Sequence, residues 1–224
     1  MIPWLQIDTA RVPGADVELR LMRRGAEFSM MLGPNELMNS RLSGSEEALA
    51  TLACKRIEAV KRPRLLIGGL GMGFTLRAAL AVLESDARIM VAELVPAVIV
   101  WARGPMAGMF GDSLDDPRTS ILSADVVAVI QSHASAFDAI LLDVDNGPEG
   151  LIRQANDSLY NTKGLKAIRR ALRPSGVLAV WSSGPNALFP KRLGDAGFDV
   201  NEVAVRATTR RSGARHVIWF AAKS

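Results

Sequence analysis

Soft metal ligands are scarce in this chain of 224 residues: one cysteine, Cys54, and two histidines, His133 and His216, far apart in sequence. A single cysteine excludes a disulfide framework and a thiolate cluster, and the histidines offer no ligand spacing, so no metal is expected. Aromatic residues make up 5%, with one tyrosine, which leaves little to stack on nucleic-acid bases. No apolar run reaches the roughly 18 residues of a membrane span. The opening MIPWLQIDTARVPG lacks the basic start and long apolar stretch of a secretory signal. A metal-free, soluble, cytoplasmic protein is the expectation.

Apolar residues, in contrast, are plentiful at 49%, enough for the core of one large domain or of a domain with a small appendage. Charged residues at 22% exclude wholesale disorder. The net charge is +4, and after residue 200 Arg206, Arg210, Arg211, Arg215 and Lys223 face only Glu202. Without interleaved aromatics, this basic end is expected to be a solvated hairpin rather than a nucleic-acid surface.

Hydrophobic periodicity changes along the chain. Residues 17–32 alternate, with Val17, Leu19 and Leu21 on one face, Arg24-Gly25 as a turn, then Phe28, Met30 and Leu32; period two predicts a β-hairpin. Ser43 and Glu46 match a capping box, and Leu49, Leu52, Ala53, Ile57 and Val60 follow at helical spacing. From residue 64 short apolar strands alternate with helical patterns: RLLIGG, ARIMVAE, RTSILSAD, FDAILLDV and GVLAVWSS are the strands. Two further strands near 198–206 and 214–222 are joined by a loop too short for a crossover. This order predicts an α/β Rossmann-like domain: a mostly parallel seven-stranded sheet, helices on both faces and an antiparallel C-terminal hairpin. The expected division is a short β-hairpin extension over 1–42 and the main domain over 43–224.

Ligands of such sheets bind beyond the carboxyl ends of the strands. The first strand ends in Gly68-Gly69-Leu70-Gly71-Met72-Gly73, where glycines permit tight turning and close approach of a ligand. Phe74 stands where the dinucleotide pattern needs its third glycine, and no Gly-Lys-Ser/Thr follows, so nicotinamide-dinucleotide and Walker loops are disfavoured. The second strand ends in Glu93, whose two oxygens suit a ribose diol. The third ends at Asp125, suited to an adenine amino group or to capping the next helix. The fourth ends at Asp143, followed by Asp145 and Asn146. A rim carboxylate there can orient an amine and take its proton; Asp145 is expected only to brace the turn. Trp101 and Trp181 suit packing, and Cys54, inside a helix, is expected to be structural.

With these four strand ends in place, the sequence resembles the class I S-adenosylmethionine-dependent methyltransferase fold, most closely its spermidine-synthase-like branch. The resemblance runs through LLIGGLGMGFTLRAAL, VAELVPAVIVWAR, DPRTSILSAD, FDAILLDVDNGP and LYNTKGLKAIRRALRPSGVLAVWSS. It implies that Gly69, Gly71 and Gly73 cradle the methionine-derived part of a sulfonium donor. It further implies Glu93 on the ribose, Asp125 on the adenine, and Asp143 with Asn146 beside the acceptor. Departures accompany the likeness. The loop aspartate usual in that branch is replaced by Gly71-Met72, the fourth residue of the catalytic turn is Asn146 rather than aspartate, and the Tyr-His-Glu segment has no match in CKRIEAVKRPR. The expectation is alkyl transfer, methyl first, from S-adenosylmethionine or its decarboxylated form to a small-molecule amine or hydroxyl acceptor. The alternatives are aminopropyl transfer to a polyamine and a non-catalytic nucleoside-binding protein. Family likeness also implies a homodimer.

Overall fold

The computed structural model describes residues 2–144, 158–208 and 213–223. Four antiparallel strands come first, β1 (Leu5–Arg11), β2 (Glu18–Arg24), β3 (Glu27–Leu32) and β4 (Asn35–Asn39), in sequence order. The alternation of residues 17–32 sets the central register. Leu19 opposes Leu32 and Leu21 opposes Met30, all buried, because a one-residue slip would turn the whole apolar set outward. Val17 departs from the expectation: it precedes β2 and is exposed. The extension is also wider than one hairpin, since β1 and β4 pair along its two edges.

Both edge strands carry a bulge. In β1 Ile7 is the extra residue, between Gln6 opposite Met22 and Asp8 opposite Leu21. In β4 it is Leu37, between Met31 opposite Glu36 and Met30 opposite Met38. A bulge breaks the strict alternation and re-aims side chains. Asp8 thereby accepts a 2.7 Å hydrogen bond from Trp101 Nε1, tying the extension to the main domain, and Leu37 and Met38 come to line the same cleft.

The second sheet has seven strands in the order β10-β11-β9-β8-β5-β6-β7. These are β5 (Arg64–Gly68), β6 (Arg88–Glu93), β7 (Thr119–Ser123), β8 (Phe137–Leu142), β9 (Leu172–Ser182), β10 (Phe198–Arg206) and β11 (Arg215–Lys223). β5 pairs in parallel with β6 and β8, and β8 with β9, while β11 runs antiparallel to both β9 and β10. The winding thus reverses at β5, where a binding crevice belongs. Pairing of β9 with β8 begins at Leu172, and Arg173-Pro174-Ser175-Gly176 is looped out within the strand.

Helices cover both faces. α1 (Gly44–Arg56), α2 (Phe74–Val82), α3 (Pro96–Arg103) and the short α4 (Ala107–Phe110) share a core with Leu65, Ile67, Val91, Leu141 and the inner face of the N-terminal sheet. α5 (Val126–Ser132), α6 (Thr162–Ala171) and α7 (Phe189–Asp195) pack on the other face against Leu66, Ile140 and Leu142. Consecutive residues of β5 and β8 therefore go to opposite layers, and β8 is buried throughout, as a strand covered on both faces requires. At the amino end of β8 the buried Asp138 is satisfied by Arg173 and the Arg64 N–H, each at 2.8 Å, a structural role remote from the strand tips.

The expected capping box does not form. Ser43 occupies the N-cap of α1 without a side-chain bond; the Gly44 N–H, first of the helix, donates to Ala207 O at the C-terminal hairpin. That frees Glu46 for another task.

Candidate active site

The tips of β5, β6 and β8, together with Asp125 beyond β7, open onto one cleft roofed by the N-terminal sheet. Gly69, Gly71 and Gly73 have φ of 86°, 50° and 77°, a left-handed region that side chains strain to adopt. Space adds to this at Gly73, where a β-carbon would collide with the Phe110 ring; at Gly71 it would meet the flexible end of Met38. The loop is bare main chain because the backbone path and its neighbours both demand it.

Glu93 is 7% exposed. Its Oε2 accepts from the Leu70 N–H and its Oε1 from the Val95 N–H, both at 2.8 Å. It therefore latches the glycine loop to the start of α3, and it lines the cleft. Burial pushes its pKa up, and the backbone N–H bonds oppose the rise. Asp125 Oδ1 accepts from the Val127 N–H at 2.8 Å, capping α5, and the residue also lines the cleft. Of its two sequence readings, the helix cap is the one observed.

Asp143 lines the same cleft. Thr75, at the start of α2, donates to Asp143 Oδ2 at 3.3 Å. Burial first, then the charge of Glu46, push the Asp143 carboxyl up to about 7, against the pull of the Thr75 bond. Glu46 was not foreseen as a site residue. Its pKa too is raised by burial, with the Ser45 hydrogen bond acting the other way. Ser45 Oγ donates to Glu46 Oε2 at 2.6 Å, and His216 Nδ1 lies 2.9 Å from the same hydroxyl. Serine has one proton to give, so His216 Nδ1 is the donor to Ser45 and the chain of bonds fixes the Glu46 carboxyl. The His216 ring meets Trp181 edge to face at 4.9 Å. Trp181, expected only to pack, lines the cleft, and its buried Nε1 has no hydrogen-bond partner among the described residues.

Topology carried a signal for Glu46. A helix running back before β5 starts at the edge where the parallel strands end, so its first turn overlooks the ligand crevice. Asn146, expected beside Asp143, and Asp145 lie outside the described residues. Cys54 is buried in α1, where burial pushes its thiol up to about 12; this suits a structural residue and not a nucleophile.

The charge of the cleft is one-sided. Among its described lining residues are four acids, Glu46, Glu93, Asp125 and Asp143, and no lysine, arginine or histidine. The wall facing them from the N-terminal sheet is wholly apolar, formed by Val12, Leu19, Met30, Leu32, Leu37 and Met38. Such a site favours a cationic ligand with apolar parts.

Strand order, glycine loop and acidic strand tips together define a Rossmann-like fold of the class I methyltransferase type. Within that class, residues 45–187 match the spermine/spermidine synthase domain family, and the chain belongs to it. A polyamine aminopropyltransferase of Streptomyces coelicolor is 30% identical over 123 residues, 54% of this chain and 22% of that protein. One from Pseudomonas aeruginosa is 32% identical over 123 residues, 53% of this chain and 33% of that protein. The match thus spans a third or less of these curated relatives. Among solved structures, a spermidine synthase in complex with the transition-state analogue AdoDATO superposes with a TM-score of 0.76 at 20% identity, covering 98% of this chain and 72% of that one. The spermidine synthase of Thermotoga maritima gives 0.73, also at 20% identity and with the same coverage. At that identity the likeness is one of fold. No helix among the described residues is long and apolar enough to cross a membrane.

Proposed function

We propose that this protein transfers an aminopropyl group from decarboxylated S-adenosylmethionine to an amine. The observation that carries the reading is the cleft with four acids and no cationic side chain among its described lining residues. S-adenosylmethionine ends in a carboxylate, which would enter this field without a countercharge. The decarboxylated donor bears a sulfonium and an ammonium, both complementary to it. The methyl-transfer expectation gives way to its alternative on this point, and the aminopropyltransferases among the relatives support the same choice.

In this reading the glycine loop, Glu93 and Asp125 hold the nucleoside. Asp143, steadied by Thr75, orients the acceptor nitrogen. That nitrogen attacks the propyl carbon next to sulfur as the carbon–sulfur bond breaks, and its electron pair leaves with neutral methylthioadenosine. The proton shed by the nitrogen goes to Asp143, whose pKa of about 7 suits it to release that proton again near neutrality. The leaving group is already activated, so the protein's main task is alignment. Asn146 is proposed to hydrogen-bond the same acceptor, and a cytoplasmic homodimer completes the reading.

Calorimetry with S-adenosylmethionine, its decarboxylated form and methylthioadenosine tests it, together with release of methylthioadenosine when amine is added. The decarboxylated donor should bind at least about tenfold tighter, roughly 1.4 kcal/mol. Equal affinity for the two donors would restore methyl transfer, and failure to bind any of the three would leave a non-catalytic protein.

A pH effect follows from the paired acids. The base must be ionised to act, so activity should rise through the Asp143 pKa as pH increases. Glu46→Gln removes a charge that raises this pKa, so the acid limb of kcat/KM should move to lower pH. A pH–rate profile in which the limb stays fixed would remove Glu46 from this role.

A further inference from the structure

Taking the nucleoside to lie on the glycine-loop side as proposed above, we infer that the acceptor is an amine with one ammonium group and an apolar body. Its nitrogen sits between Asp143 and Glu46, and its hydrocarbon lies against the inner face of the N-terminal sheet. Glu93 and Asp125 already receive backbone N–H groups at the nucleoside edge. That leaves Asp143 and Glu46 to meet the acceptor, and among the described residues neither is in an ion pair. Two half-buried acids without a countercharge among the described residues are an incomplete arrangement that one bound ammonium would complete.

Beyond the pair, the wall offers only hydrocarbon and thioether. Leu19 and Leu32 are directly opposed on β2 and β3, and Met30 follows on the same face. The β4 bulge brings in both Leu37 and Met38, where regular alternation would deliver one of them. The acid nearest to these in sequence, Glu36, is committed elsewhere, accepting from Ser29 Oγ at 2.7 Å and from Asn39 Nδ2 at 3.1 Å. Among the described residues of this wall, a second ammonium at the far end of a diamine would thus be stripped of water without a partner. A methyl-ended chain would gain about fourfold in affinity for each methylene fully buried.

The test is equilibrium binding of n-alkylamines from butyl to octyl, against putrescine and diaminohexane, to the full chain with and without methylthioadenosine. Affinity should rise about two- to fourfold per methylene, and n-hexylamine should bind at least tenfold tighter than diaminohexane. A flat alkyl series, or a diamine that binds as well as the monoamine of its length, would overturn the inference. Leu37→Glu, a substitution at a half-buried bulge residue, should reverse the preference between hexylamine and diaminohexane; an unchanged order would remove the acceptor from this wall. Loss of methylthioadenosine binding alone would count against the donor reading, since the amine series is measured without nucleoside as well.

Discussion

Asp143→Asn is expected to lower kcat by roughly 10²–10⁴-fold, the range for loss of a general base. Affinity for methylthioadenosine should stay within about threefold, well under the 1.4 kcal/mol of a tenfold change. The substitution keeps size and shape, and the amide oxygen can still accept from Thr75 Oγ1. What disappears is basicity at the strand-tip acid whose pKa the neighbouring Glu46 charge raises. Glu93 and Asp125, bonded to backbone N–H groups, are unaffected, so the nucleoside keeps its contacts. Single-turnover measurements of methylthioadenosine release, beside calorimetry, separate the two effects. A variant retaining a tenth or more of the wild-type turnover would mean that Asp143 is not the base. The acid limb of the pH profile should vanish with the carboxylate, because its position reflects the burial of Asp143 and the charge of Glu46.

The sequence made some of this site visible and hid the rest for identifiable reasons. The sheet was legible because strands buried on both faces are short and continuously apolar; β8, Phe137–Leu142, is such a strand. The strand-tip residues Gly69, Gly71, Gly73, Glu93, Asp125 and Asp143 were legible because an open α/β sheet gathers its loops at one edge, and all six line one cleft. Glu46 was hidden by a degeneracy. Ser-x-x-Glu before an apolar run has the form of a capping box, but Ser43 makes no side-chain cap bond and Glu46 accepts from Ser45 Oγ and lines the cleft instead. The apolar wall was hidden by the bulge at Leu37: period-two alternation sends Leu37 and Met38 to opposite faces, whereas one extra residue in the ladder brings both to the cleft. Trp181 belongs to an apolar strand and looks like core by composition. Its place at the cleft depends on β11 inserting between β9 and β10 and carrying His216 to its side.

Glu93→Ala should be the most damaging substitution for both stability and donor binding. The wild-type carboxyl is costly to bury, as its raised pKa indicates, yet it satisfies the N–H groups of Leu70 and Val95 at 2.8 Å each. Alanine saves the desolvation of the acid but strands two buried donors, at about 1–3 kcal/mol each. The stranded donors should win, giving a net loss of about 2–5 kcal/mol. For a chain of this length that corresponds to a fall in Tm of roughly 5–15 °C. The loop then loses its latch to α3. Gly69, Gly71 and Gly73, held at positive φ, would no longer be pre-organised, so affinity for methylthioadenosine should fall more than tenfold even well below the new Tm. Glu93→Gln separates the latch from the charge: its amide oxygen can serve one of the two N–H groups but its NH₂ cannot accept from the other. It should therefore fall between wild type and alanine in thermal melts and in nucleoside calorimetry alike. If the glutamine variant melted as wild type but bound nucleoside as poorly as alanine, charge rather than the latch would be what the donor requires at this strand tip.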